Sequence, residues 1–117
     1  MQKVIDIEDA LDRVQDDKEL LFELFDIFEA DFVVKRKELE QCLKNNNAEM
    51  VRNIAHSVKG ASGNISAKCI HEICLFIEQQ ASEGNLTGLL EKLQRLDEEF
   101  IRYQKEAKKL REEDQLI

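Results

Sequence analysis

Leu86, Leu89, Leu93, Leu96, Phe100, Tyr103, Ala107 and Leu110 follow one another in alternating steps of three and four. That spacing gathers apolar side chains along one side of an α-helix and seats it against its neighbours at a small crossing angle. Most of the chain obeys it. Leu21, Leu24, Phe25, Phe28, Phe32, Leu39 and Leu43 form a second stripe, Val51, Ile54, Val58, Ala61 and Ile65 a third, and Ile70, Ile73, Cys74, Ile77 and Ala81 a fourth. A sheet protein would need far more turn chemistry than a chain with no proline and four glycines supplies. The expected fold is all-α: an up-down antiparallel four-helix bundle with short connections and an additional short helix at its start.

Polar punctuation divides the stripes. The first short helix is expected over Ile7 to Val14 with Asp6 as its cap, and a long helix from about Asp17 to the Asn45, Asn46, Asn47 cluster. Asn47 then caps a third helix running from about Ala48 to Ser62, and Gly63 to Ser66 makes a tight connection. After the fourth helix, Gly84 suits a helix C-terminus, and the last helix is expected to start near Leu86 with Asn85 as its cap. Glu91 with Arg95 and Glu98 with Arg102 are placed for i, i+4 support. The length fits one domain spanning residues 1–117, with the charged tail after about residue 110 frayed.

The formal net charge of −8 argues against nucleic acid as a partner, because that affinity needs clustered Lys and Arg. Cys42, Cys69 and Cys74 are odd in number, form no CxxC pair and fall within helical patterns, which suits reduced thiols in the cytoplasm. No apolar run approaches the roughly 20 residues of a membrane span, and no basic-then-apolar signal opens the chain.

One stretch does not read as plain packing. On a helical wheel centred on His56, Arg52, Lys59, Gly60 and Gly63 all fall within about 60° of it. The apolar stripe of Val51, Ile54, Val58, Ala61 and Ile65 lies opposite, so the histidine points away from the core. Each glycine costs a helix roughly 1 kcal/mol relative to alanine, with no gain if that face meets only water. The pattern implies close approach by another molecule.

A neutral imidazole offers a ring nitrogen as nucleophile and can accept a phosphoryl group. Lys59, one turn along the same face, can place positive charge beside the phosphoryl oxygens, and the glycines clear the approach path. Neighbouring helix positions offer Ser57 and Asn53 but no carboxylate, as a hydrolase would want, and no GxxxxGK[ST] loop is present. The residues read as half of a reaction site, with donor and metal on a partner. His71 between Cys69 and Cys74 does not make a metal site, because the three side chains diverge around the helix. Phe22 and Val33, off the core stripe, are candidates for an apolar patch that helps a partner dock.

The stretch Ala55 to Ala67, AHSVKGASGNISA, resembles the phosphorylation motif of histidine-containing phosphotransfer (HPt) domains, roughly AHxLKGxAxxLGA. Helix order, the position of the motif in the third helix and the acidic last helix extend the resemblance over nearly the whole chain. It implies that His56 is phosphorylated, exchanging phosphoryl groups with the aspartyl phosphates of response-regulator receiver domains in a multistep two-component relay. It implies that Lys59 stabilises phosphoryl charge and that Gly60 lets the receiver approach. Arg52, Asn53 and Gly63 are the other candidate partner-docking positions. The implied protein is a cytoplasmic, monomeric phosphoryl carrier with no kinase activity and no cofactor or metal of its own. Magnesium belongs to the receiver, and a hybrid sensor histidine kinase is a further candidate partner. Two positions depart from the motif: Val58 replaces leucine, and Ser66 stands where glycine is usual, which puts the turn before the fourth helix in question.

Two other readings compete. The dimerisation domain of a histidine kinase also carries a phosphorylated histidine on a helical bundle, but its H[ED]x[RN]xP pattern needs an acid where Ser57 stands and a proline that this chain lacks. A helical adaptor whose His56 is never phosphorylated would show the same stripes and charged faces.

Overall fold

The computed structural model describes residues 3–115. Five helices follow one another: α1 (Ile7–Arg13), α2 (Lys18–Lys44), α3 (Ala48–Asn64), α4 (Lys68–Ser82) and α5 (Leu89–Gln115). Helices α2 to α5 form an up-down four-helix bundle in which α2 packs on α3, α3 on α4, α4 on α5 and α5 back on α2. The first three starts are the capped ones the sequence marks. Asp6, Asp17 and Asn47 accept hydrogen bonds from the main-chain N–H of Asp9, Leu20 and Met50 at 3.1, 3.0 and 3.1 Å.

The boundaries differ from the sequence expectation in three places. Helix α3 continues to Asn64, two residues beyond the expected end. Helix α5 starts at Leu89 rather than Leu86, because Gly88 sits at φ +75°, outside helical space. Asn85 consequently caps only a turn, accepting from Thr87 N at 3.1 Å. Helix α5 runs on to Gln115, past residue 110. Arg111 and Asp114 tie the last turns of α5 to α2, through Asp26 at 2.6 Å and Lys18 at 3.4 Å, and residues 116–117 lie outside the description.

The α2–α5 side of the core is aromatic. Phe32 and Phe100 stack at a 4.0 Å centroid separation, and Tyr103 stacks on Phe28 while its hydroxyl donates to the Phe25 carbonyl at 3.3 Å. Outside this stack, Arg36 grips Asp97 with two hydrogen bonds of 2.7 and 2.9 Å. On α5, Arg95 and Arg102 both reach Glu99, at 3.2 and 2.6 Å, and Arg95 also reaches Glu98 at 3.5 Å. Glu99 is 1 % exposed, and a carboxylate that far from water must be compensated by the nearest cations.

Ser66 ends the α3–α4 turn at φ +55°, the left-handed conformation for which glycine is the usual residue. Its hydroxyl donates to the Asp9 carboxylate, and its carbonyl accepts from Asp6 N at 2.9 Å. The start of α1 is thereby fastened to the α3–α4 turn. The Ser66 hydroxyl, then Arg13 and Lys68, hold the Asp9 carboxyl down at about 2. Among the described residues, no helix is long and apolar enough to cross a membrane.

Candidate functional site

Helix α3 turns Val51, Ile54, Ala55 and Val58 into the core and leaves His56 on the outside, its side chain 68 % exposed. The ring is not free to turn. Its Nδ1 lies 2.7 Å from Oε1 of Glu78 on α4. A carboxylate can only accept, so Nδ1 is the nitrogen that carries the donated proton, and Nε2 takes no part in the contact. Lys59 lies deeper than a surface position, 22 % exposed, with Nζ 2.6 Å from the other Glu78 oxygen. That oxygen is buried, and the ammonium against it compensates its charge. Burial raises the Glu78 carboxyl, but the hydrogen bonds and charges of Lys59 and His56 outweigh it and hold the group below its usual range.

Glu78 is the residue that sequence reasoning missed. The neighbours of His56 on its own helix carry no carboxylate, as expected, but α4 supplies one across the helix pair. Its signal was its position on α4: Glu78 lies one residue round from Ile77 and one turn from Cys74, at the border of a buried stripe rather than in the middle of a solvated face.

Gly60 is exposed, and a Cβ built there would meet nothing within 4 Å. Arg52 and Asn53 are exposed and joined to each other, Arg52 Nη2 donating to Asn53 Oδ1 at 3.2 Å. Gly63 corrects the expectation of an open docking position. It packs against α4, where a Cβ would lie 3.4 Å from Nδ1 of His71. Phe22 is also not part of an exposed patch, being half-buried with Arg111 over its ring, whereas Val33 is 50 % exposed. His71, Cys69 and Cys74 do not converge. Nδ1 of His71 donates to the Lys59 carbonyl at 3.0 Å, Cys69 Sγ faces the Lys3 carbonyl, and Cys74 is fully buried, its thiol pushed up to about 12 by burial and by the Glu78 charge. Among the described residues, no group of three or more His, Cys, Asp or Glu side chains is placed to hold a metal ion. The three cysteines are free thiols.

The site is thus an exposed imidazole whose Nδ1 is held by a carboxylate, beside a paired lysine and a bare glycine. The family signature of the Hpt domain matches residues 23–106, a span that includes the whole of this arrangement. The chain belongs to the Hpt-domain family. It is a histidine phosphotransfer protein of a phosphorelay, a phosphoryl carrier of the kind that passes phosphate between receiver domains of response regulators. The Hpt fold is matched over the full bundle by the crystal structure of histidine-containing phosphotransfer protein B (HptB) from Pseudomonas aeruginosa PAO1. The two share 23 % sequence identity at a TM-score of 0.87, covering 97 % of this chain and 98 % of that one. No curated protein sequence matches this Hpt chain.

Proposed function

We propose that His56 is the phosphoacceptor and that Nε2 is the atom that takes the phosphoryl group. The observation carrying this reading is the Glu78 contact, which occupies Nδ1 and leaves Nε2 open to a docking partner. The Nε2 lone pair attacks the phosphorus of a receiver's aspartyl phosphate, the P–O bond to the aspartate breaks, and the carboxylate leaves. Positive charge appears on the imidazole as the N–P bond forms, and Glu78, already hydrogen-bonded at Nδ1, stabilises it. Lys59 swings its ammonium from Glu78 to the transferring oxygens, a short reach for a flexible side chain one turn away. Return transfer runs through the same groups in reverse.

Gly60 gives the receiver room to approach the helix, and Arg52 and Asn53 meet its rim. The partners are response-regulator receivers, with a hybrid sensor kinase as a further donor through its own receiver. Magnesium enters with the receiver, and this chain acts as a single cytoplasmic, monomeric carrier domain without cofactor or autonomous kinase activity.

Incubation with a panel of labelled receiver-aspartyl phosphates tests this. The expected product is acid-labile, alkali-stable label that disappears in His56→Gln while helicity is retained. Label that survives His56→Gln, or no label from receivers shown to be phosphorylated, would overturn the assignment.

A further inference from the structure

We propose that His71 is a positioning residue for phosphoryl transfer, setting the α3–α4 register that holds Glu78 at His56. The proposal rests on the reading of His56 as phosphoacceptor. Among the contacts between α3 and α4 are two rungs, His56 with Glu78 and Gly63 with His71. Gly63 follows His56 by seven residues, and His71 precedes Glu78 by seven. Seven residues are two turns, about 10 Å along each axis, so each helix presents both of its rung residues on one face. The two rungs belong to one antiparallel register.

Within the span of the two rungs the buried side chains are Val58 and Ser62 on α3 and Cys74 and Ile77 on α4, half of them small. Small side chains let helices come close but make shallow ridges, which resist sliding and rotation weakly. The directional contact at this level is made by His71. Its Nδ1–H crosses to the Lys59 carbonyl at 3.0 Å, where the Ser62 hydroxyl also donates at 2.9 Å, and its ring lies in the space that Gly63 leaves. Lys59 is therefore held to α4 at both ends, by His71 at its carbonyl and by Glu78 at its ammonium. Gly63 serves this contact and not the receiver.

The deciding measurement is the tautomer of His56, read from the ring nitrogen shifts in 15N NMR, beside the rate of label transfer from a phosphorylated receiver. His71→Phe keeps an aromatic ring but cannot donate. The expected result is loss of the single Nδ1–H tautomer at His56 and transfer slowed of the order of tenfold, as displacement of a catalytic group by less than 1 Å would give. His71→Asn, whose amide nitrogen stands about where Nδ1 does, should restore both. In a Glu78→Ala background, His71→Phe should add nothing, because His71 acts through Glu78.

Gly63→Leu addresses the same contact from the other helix and should reproduce the tautomer change, so the test survives if His71→Phe folds poorly by circular dichroism. An unchanged His56 tautomer in both folded variants, or equal slowing with and without Glu78, would overturn the proposal. Label acquisition by the unsubstituted protein checks the phosphoacceptor reading separately, since the tautomer readout needs no transfer.

Discussion

The α2–α5 half of the bundle and the α3–α4 half hold together by different means. Between α2 and α5, Phe25, Phe28, Phe32, Phe100 and Tyr103 interlock as stacked and edge-on rings, all of them buried. Helices α3 and α4 bury no aromatic ring, small residues stand among their buried valines and isoleucines, and polar atoms bridge the pair: Glu78 to His56 and Lys59, His71 to the Lys59 carbonyl. Large rings bring area and rigidity, whereas small residues bring the helices close enough for short side chains to reach across. The proposed role of His56 suits the second kind of interface, where the ring stays exposed while its Nδ1 is gripped from a neighbouring helix.

This difference is open to breakage from the aromatic side first. Phe32→Ala removes a ring that is 3 % exposed and stacked on Phe100. The expected cost is about 3–5 kcal/mol in urea or guanidinium denaturation, a large part of a small domain's total. The folded fraction should nonetheless transfer phosphate at the normal rate, since Phe32 lies on the other side of the core. A slower rate in the folded fraction would mean that the two halves are coupled. Tyr103→Phe is the milder version, deleting only the buried hydroxyl's bond to the Phe25 carbonyl, at about 0.5–1.5 kcal/mol.

The two halves were also unequally legible in the sequence. The aromatic half follows from periodicity alone, because Phe25, Phe28, Phe32, Phe100 and Tyr103 sit on uninterrupted three-and-four stripes that only a buried helix face explains. The outward position of His56 was legible for the same reason. What periodicity cannot supply is the pairing between helices. Glu78 is one of many acidic residues in an acidic chain, and nothing local to α4 says that it ends beside His56. The same limit explains Gly63, whose wheel position is near His56 but whose contact is set by where α4 lies. The start of α5 falls later than Asn85 and Leu86 suggest because Gly88 adopts a left-handed turn conformation that leaves no mark in the apolar periodicity.

Ser66 sharpens the comparison at the end of the α3–α4 pair. A non-glycine residue at φ +55° costs about 1 kcal/mol, and here the hydroxyl bond to Asp9 offsets it. Ser66→Gly and Ser66→Ala both lose that bond, but only glycine relieves the backbone. Ser66→Gly should therefore be the more stable of the two by about 1 kcal/mol at neutral pH. Acid supplies the second readout. Asp9 is lowered to about 2 when folded, against 3.8 ordinarily, so its contribution is fully present above roughly pH 4 to 5 and is lost as pH falls towards 2. In both variants the Asp9 carboxyl should titrate nearer its ordinary value, and the stability difference from the unsubstituted protein should shrink across that window. A constant difference down to pH 2 would show that Ser66 acts through the backbone alone.

The smallest stability effect is expected at Gly60, where it should also run opposite to function. A side chain added there meets nothing within 4 Å, and a mid-helix glycine is replaced by a better helix former. Gly60→Gln should thus raise stability, by about 0.5–1 kcal/mol. Nothing inside the monomer explains why the chain keeps a glycine there. The docking role proposed for Gly60 supplies an explanation from outside: a receiver surface pressing on α3 beside His56. Transfer from a receiver-aspartyl phosphate should accordingly slow in Gly60→Gln, while phosphorylation by a small donor such as phosphoramidate, which needs no protein surface, should not. Equal slowing with both donors would place the effect in the chemistry at His56. No slowing with either would leave the open face of α3 without a docking role, and the contrast between a stabilising half and a reacting half would then rest on Glu78 and Lys59 alone.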